Sequence, residues 1–249
     1  MGIETPATYE YKDRKLGDSN GIVVTTSPNV FYPTSTTVLL LHVVRKNVSA
    51  PPKKILDLGC GCGVVAITLA KLVAPEGSVY ASDISSEAVQ LARQNAEACN
   101  AKVECRCGSL FEPWTGMKFD LIVEDVSGMA EPIARISPWY PPQIHSDAGD
   151  DGTRWILDVL AQCGDFLAPG GRLFFPVLTL SKEDKILEQA RKHFRTVEHV
   201  DEQWYPLSEE LVAHFDIIQR LADESAIKIE KRGSRWWWGT KIYYATDAA

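Results

Sequence analysis

Residues 55–70 read Ile55-Leu-Asp-Leu-Gly-Cys-Gly-Cys-Gly-Val-Val-Ala-Ile-Thr-Leu-Ala70, and this stretch decides the fold. A short apolar run (Ile55, Leu56, Leu58) ends in glycines at alternate positions, Gly59, Gly61 and Gly63. A helix-patterned segment, Val64 to Leu72, begins at once. Strand, glycine turn and helix in that order form a nucleotide-binding corner. The glycines let the backbone turn tightly and leave no side chain between it and a ligand. The helix N-terminus adds free amides and a positive dipole end. Asp57 separates the possible ligands. A pyrophosphate favours the spacing G-x-G-x-x-G without a carboxylate, but the third glycine of that pattern is here Val64. The same break argues against a nicotinamide-dependent dehydrogenase. An acid followed by G-x-G-x-G suits a ligand with a cationic amino-acid part.

Working outward, Gly77 to Asp83 reads as a second short strand ending in an acid. A carboxylate at the tip of the second strand of a βαβ unit accepts both ribose hydroxyls of an adenosine. Ser85-Ser-Glu-Ala caps a helix whose apolar face is Ala88, Val89, Leu91, Ala92 and Ala96. Lys102 to Arg106 and Phe119 to Glu124 are the third and fourth strands, the latter apolar through its centre as a buried parallel strand is. Residues 125–151 form a long Pro-, Gly- and Asp-rich stretch with a short helix around Met129 to Arg135. Asp151 to Leu167 is predicted helical and ended by Ala168-Pro-Gly-Gly171. Arg172 to Val177 is the fifth strand, Ser181 to His193 a helix and Phe194 to Val200 the sixth strand. A helix from Pro206 to Leu221 follows, then an aromatic hairpin, Ile227 to Ala245, at a sheet edge. Upstream, residues 1–30 show no strong period, and Thr or Ser before the apolar run Val38 to Val44 is a helix N-cap.

The 249 residues are read as one domain: a cap segment (1–50), a cofactor-binding core (54–200) and a helix plus hairpin (201–249). A composition of 45% apolar and 24% charged residues is that of a globular protein. The formal charge of −7 argues against a duplex nucleic-acid binder. No run approaches 18 apolar residues, and the polar N-terminus lacks the apolar core of a signal peptide. Six cysteines, two inside the glycine loop, do not read as a disulfide framework, so a reducing cytoplasm is expected. The pairs Cys60/Cys62 and Cys105/Cys107 lack the usual C-x-x-C spacing, and no metal site is expected.

The chain resembles the class I S-adenosylmethionine-dependent methyltransferases, within them the HemK-type and methyltransferase-small-domain group. The resembling pieces are Val30-Phe-Tyr-Pro-x-x-x-Thr37, Ile55 to Gly63, Gly108-Ser-Leu-Phe-Glu-Pro113, Phe119-Asp-Leu-Ile-Val123, Gly149-Asp-Asp-Gly152 and Leu167 to Leu173. The resemblance implies an α/β, Rossmann-like doubly wound sheet, mostly parallel, with the antiparallel C-terminal hairpin at its edge. It also implies S-adenosyl-L-methionine as cofactor. On that reading Asp57, Gly59 and Gly61 hold the methionine moiety, Asp83 the ribose, and Ile84 packs on the adenine. Ser109 and Leu110 lie at the adenine edge, and Phe31 and Thr37 close over the cofactor. Where the group carries Asn-Pro-Pro-Tyr after the fourth strand, this chain has Glu124-Asp-Val-Ser-Gly128, without that rigid acceptor pair for a planar NH2.

The expected activity is methyl transfer to a small molecule (N or O nucleophile) or a protein side chain, with no membrane partner. A HemK-like glutamine methyltransferase and a non-catalytic cofactor-binding subunit are the alternatives. Asp125 is the candidate substrate ligand or base, followed by Glu124. His145 is a candidate base or an exposed loop histidine, and Trp139, Tyr140 and the Pro141-Pro142 pair either wall a substrate pocket or anchor the loop to the sheet edge. Trp236 to Trp238 stand among Lys231, Arg232, Arg235 and Lys241, a composition that can stack nucleobases. Strand alternation, however, sends at least one of these tryptophans into the core.

Overall fold

The computed structural model describes residues 7–12, 21–140, 143–144 and 146–248. Of the expectations above, those on Pro141, Pro142 and His145 lie outside the described residues. The parallel core consists of β3 (Lys54–Leu58), β4 (Ser78–Asp83), β5 (Val103–Cys107), β6 (Phe119–Glu124) and β7 (Leu167–Leu178). Two N-terminal strands precede it, β1 (Thr8–Tyr11) and β2 (Ile22–Thr25), and three follow: β8 (Phe194–Pro206), β9 (Glu230–Arg232) and β10 (Arg235–Ala248). The helices are α1 (Ser35–Asn47), α2 (Val64–Leu72), α3 (Ser86–Ala98), α4 (Glu131–Ala134), α5 (Arg154–Gln162), α6 (Glu183–His193), α7 (Glu209–Ala213) and α8 (Phe215–Asp223).

The main sheet runs β5-β4-β3-β6-β7-β10-β8, with β9 paired to β10. β3 pairs in parallel with β4 on one side and β6 on the other. The strand order therefore reverses at β3, the place where sheets of this kind leave a crevice beyond their strand ends. Strand alternation sorts the core. Ile55 packs with α1, α2 and α3 on one face, while Leu56 and Leu58 join Ile122, Ile156 and Leu160 on the other. A third apolar cluster joins α4, α7 and α8 to Trp238. The helix starts follow local chemistry. Thr34 and Thr37 form a reciprocal capping box at α1, and the Ser85 side chain accepts from Ala88 N–H at α3.

Several expectations are corrected. The hairpin is present as β9–β10, but its long arm is not an edge: β10 lies between β7 and β8, antiparallel to both. β8 is the edge on that side, and its burial pattern, partly or fully exposed at every position after Phe194, suits an unpaired rim. Internal contacts hold β10 there. Lys241 Nζ meets Glu183 at 2.7 Å, Tyr243 Oη donates to the same carboxylate at 2.9 Å, and the Thr240 and Thr36 hydroxyls pair at 3.0 Å. Residues 168–171 do not end a helix. They open β7, and the helix before them covers Arg154–Gln162. The helix expected over 206–221 is two, broken at His214, whose φ of −118° and ψ of 37° leave the helical region. Thr8–Tyr11 and Ile22–Thr25, aperiodic in sequence, pair as a two-stranded sheet that covers α2 and α3.

Gly63 begins α2 at a φ of +85°, and a Cβ there would lie 3.0 Å from the Cα and Cβ of Ala92 in α3. Gly170 shares the positive φ, +74°, but has open space around it. Gly170→Ala is expected to cost about 1 kcal/mol from backbone conformation alone. Gly63→Ala adds overpacking of the α2–α3 contact and is expected to cost about 2–4 kcal/mol. Urea unfolding of the two variants side by side checks the difference.

Candidate functional site

Alternation along β3 puts Asp57 on the same face as Ile55, beneath α2. Its Oδ2 accepts the Ala66 N–H at 3.0 Å, while its Oδ1 is buried with no hydrogen-bond partner among the described residues. The side chain is 0% exposed. Burial, and then the nearby Asp125 carboxylate, hold its pKa well above the usual carboxylate range. Asp57 thus stands behind the crevice wall, an acid with one oxygen waiting for a donor.

In front of it the corner turns on Gly59, at a φ of +76°. A Cβ at Gly59 would come within 3.0 Å of Val126 Cγ1 and 3.2 Å of the Asp125 carbonyl oxygen. Gly59 and Cys60 N–H groups both donate to Ser82 O, and Gly61 N–H donates to Asp83 Oδ2 at 3.0 Å. The other oxygen of Asp83 accepts Ser85 N–H at 2.9 Å, and burial raises its pKa. Beside it Ile84 is 68% exposed, an apolar side chain projecting from the strand tip without cover. Leu110, at a φ of +46°, receives the Ser82 hydroxyl on its carbonyl oxygen, and Ser109 N–H donates to Glu112.

Glu124 and Asp125 diverge. Glu124 is buried on the α5 face, where its Oε2 accepts Val126 N–H at 3.1 Å and its charge reaches Cys163. Burial raises its pKa strongly. Asp125 turns to the opposite face. Its N–H donates to Leu58 O at 3.0 Å, continuing the β3–β6 ladder, and its Oδ2 accepts the Thr37 hydroxyl at 2.8 Å. Desolvation pushes its pKa up to about 6, against the opposing Thr37 hydrogen bond. Cys62 is buried and its thiol is pushed up to about 11, so it is a neutral wall atom at ordinary pH.

One cavity of about 430 Å³ gathers these groups. Phe31, Thr37, Gly59, Gly61, Asp83, Ile84, Ser109, Leu110, Glu124 and Asp125 all line it; Asp57 does not. The same cavity has an aromatic lobe, lined by Met129, Trp139, Tyr140, Leu178 and Trp238, which belong to one apolar cluster, and by Trp155. The ring of Tyr140 lies 5.0 Å from that of Phe31, and Trp139 packs edge-on against Trp238 at 5.1 Å. The loop tryptophan and tyrosine therefore do both jobs foreseen for them, anchoring the loop and facing the cavity. Trp155, Trp238 and Met129 carried no separate signal in sequence, because helix, strand and loop bring them together only after folding. The tryptophan run splits by alternation. Trp236 meets Phe215 and Trp238 is buried, while Arg232 covers Trp237 and Trp204. Among the described residues no group of three or more potential metal ligands forms, all six cysteines are free, and no helix is long and apolar enough to cross a membrane.

Residues 21–125 match the methyltransferase small domain family. That match covers β2 through the Asp125 end of β6, which is the glycine corner and its rim. The chain is 33% identical over 190 residues to a release factor glutamine methyltransferase of Thermosynechococcus vestitus, across 71% of this chain and 64% of that one. It is 32% identical over 162 residues to its namesake in Geobacter sulfurreducens, across 61% of this chain and 55% of the relative. The chain thus spans less than two thirds of the length of either relative. Among solved structures, the Thermus thermophilus 16S rRNA N2 G1207 methyltransferase, in complex with AdoMet and guanosine, superposes with a TM-score of 0.60 at 18% identity. It covers 98% of this chain and 51% of its own, and supports the fold. These findings agree with the resemblance to S-adenosylmethionine-dependent methyltransferases read from residues 30–200.

Asp125 offers a pH test. A carboxylate whose folded pKa lies near 6, above its unfolded value near 4, opposes folding once ionised. The penalty is absent below the unfolded value, grows as pH rises through the folded value and is full by pH 8. Asp125→Asn keeps an acceptor for Thr37 and is expected to stabilise the ligand-free protein by about 1–2 kcal/mol at pH 8, with the gain fading towards pH 4. Thermal unfolding of both proteins across that range provides the check.

Proposed function

We propose that this protein is an S-adenosylmethionine-dependent methyltransferase whose acceptor is a small molecule or a protein side chain. The observation that carries the reading is the rim itself: a glycine corner, a half-buried strand-tip carboxylate and an uncovered apolar side chain line one crevice, and a buried carboxylate stands behind its wall. These groups fit the cofactor part by part. The open backbone of Gly59 and Gly61 suits a cationic amino-acid end, with the Asp57 carboxyl group behind that wall. Asp83 keeps spare lone pairs beyond its two backbone bonds and would take ribose hydroxyls. Ile84 supplies an apolar face for a base, Ser109 and Leu110 its edge, and Phe31 with Thr37 the cover from the N-terminal side.

When bound, S-adenosylmethionine supplies a methyl group on a cationic sulfur. The chain's part is to align the acceptor atom with that methyl and to exclude water, effects that together account for several kcal/mol of barrier lowering. Asp125 lines the same cavity as the glycine corner and the aromatic lobe, so it is the residue assigned to hold the acceptor. Glu124, facing the other side of the sheet and bonded to Val126 N–H, is assigned to shape the strand end rather than to touch the acceptor. The six free thiols fit a reducing compartment, and the cytoplasm is the proposed location.

A second reading, protein glutamine methylation, is favoured by the names of the curated relatives. Incubation with a release factor carrying a Gly-Gly-Gln loop, followed by mass spectrometry, decides it: methylation of that glutamine establishes the second reading, and its absence removes it. For the cofactor, calorimetric titration with S-adenosylhomocysteine is expected to show one equivalent bound. Asp83→Ala should weaken that binding about tenfold or more, the loss expected for hydrogen bonds to a charged group. No heat of binding, or an unchanged affinity in the variant, contradicts the proposal.

A further inference from the structure

The aromatic lobe of the cavity has a chemical character that the cofactor part does not require. Its walls are aromatic and apolar: Met129, Trp139, Tyr140, Trp155, Leu178 and Trp238. Among the described residues that line the whole cavity there is no lysine, arginine or histidine, whereas Asp83, Glu124, Asp125 and Asp147 all do. Within the lobe most polar side chains are already engaged. Tyr140 Oη donates to Ser127 Oγ, Ser146 Oγ to Met129 O, and Ser181 Oγ to Leu178 O. Asp125 differs: the Thr37 hydroxyl donates to its Oδ2 at 2.8 Å, a bond that leaves the second oxygen, Oδ1, to another donor.

From this we infer that the acceptor is an amine carried on an aromatic or extended apolar body, with its nitrogen held by Asp125 Oδ1 and its body in the aromatic lobe. The inference rests on the methyltransferase reading above and specifies the acceptor of that same site. An anionic acceptor would enter a cavity with carboxylates and no lining cation among the described residues, and like charges in a low-dielectric site repel strongly. A cationic or hydrogen-donating nitrogen is the complement of a lone carboxylate oxygen, and cations are also favoured over aromatic faces. The transfer balances without a further reactant. The bound ammonium first gives one proton through Asp125 to solvent. The lone pair so freed forms the N–C bond, the S–C bond breaks with its electrons retained by sulfur, and the product leaves as the methylated ammonium. Around Asp125 stand Thr37 from α1, Asp57 from β3, Tyr9 from β1, Cys62 from the glycine turn, Tyr140 from the loop and its neighbour Glu124. None of these is basic, so among the described residues the ionised Asp125 has no cation beside it.

The test uses three probes of one shape, 3-phenylpropylamine, 3-phenylpropanamide and 3-phenylpropanoate, titrated into the protein saturated with S-adenosylhomocysteine. Binding is read by calorimetry and by tryptophan fluorescence, since Trp139, Trp155 and Trp238 line the lobe. The amine is expected to bind about tenfold or more tightly than the amide and the carboxylate, the discrimination of one charge-assisted hydrogen bond. Its affinity should fall by a similar factor in Asp125→Asn. In the unaltered protein it should decline as pH drops through about 6, where Asp125 takes up its proton. That pH series needs no variant and stands even if Asp125→Asn fails to fold. Equal or tighter binding of amide or carboxylate, no amine binding at saturating S-adenosylhomocysteine, or an amine affinity indifferent to pH overturns the inference while leaving the cofactor reading intact. Failure to bind S-adenosylhomocysteine overturns the cofactor reading itself and the amine subsite with it.

Discussion

The close approach of two strand ends over Gly59 is the constraint on which the site depends. Parallel pairing of β3 with β6 runs one residue past the strand, through the Asp125 N–H to Leu58 O bond. That extension brings the Asp125 carbonyl and Val126 onto the corner so tightly that any Cβ at Gly59 would be in contact with both. The glycine is therefore required twice, for its positive φ and for its missing side chain. Because of the same contact, Asp125 and the glycine corner line one cavity side by side.

Electrostatics follow from that geometry. Asp57, Asp83, Glu124 and Asp125 are drawn to the C-terminal rim of the sheet, and burial raises the pKa of each. Backbone amides and the Thr37 hydroxyl offset part of the cost, but no lining cation does among the described residues. Such an arrangement opposes folding of the empty protein and favours whatever positive charge binds there. A site that departs from the rule of paired buried charges in this way is where a ligand belongs.

How much of this was legible in the sequence varied with the range of the forces involved. The α2 boundaries, Val64 to Leu72, came directly from a glycine stop signal and a continuous apolar run. Thr34, Ser85 and the apolar centre of Phe119–Glu124 were equally readable, because capping and burial of a central strand act within a few residues. The N-terminal strands were not, since two four-residue strands with mixed faces give no period long enough to see. The insertion of β10 between β7 and β8 was also hidden. A strand's neighbours are chosen by contacts such as Lys241–Glu183 and Thr240–Thr36, whose partners lie 58 and 204 residues away.

By itself, then, the sequence determined the glycine corner, the boundaries of α2, and a resemblance with which the match of residues 21–125 to the methyltransferase small domain family agrees. These rest on local backbone conformation and on a period of two or 3.6 residues. Tertiary structure alone decided that Asp57 sits behind the wall rather than in the cavity, that Glu124 and Asp125 serve opposite faces, and that Trp155 and Trp238 complete an aromatic lobe with the loop residues Trp139 and Tyr140. The physical reason is that a side chain's solvent exposure and the charge of its neighbours are set by packing between distant segments. No short window of sequence contains that information.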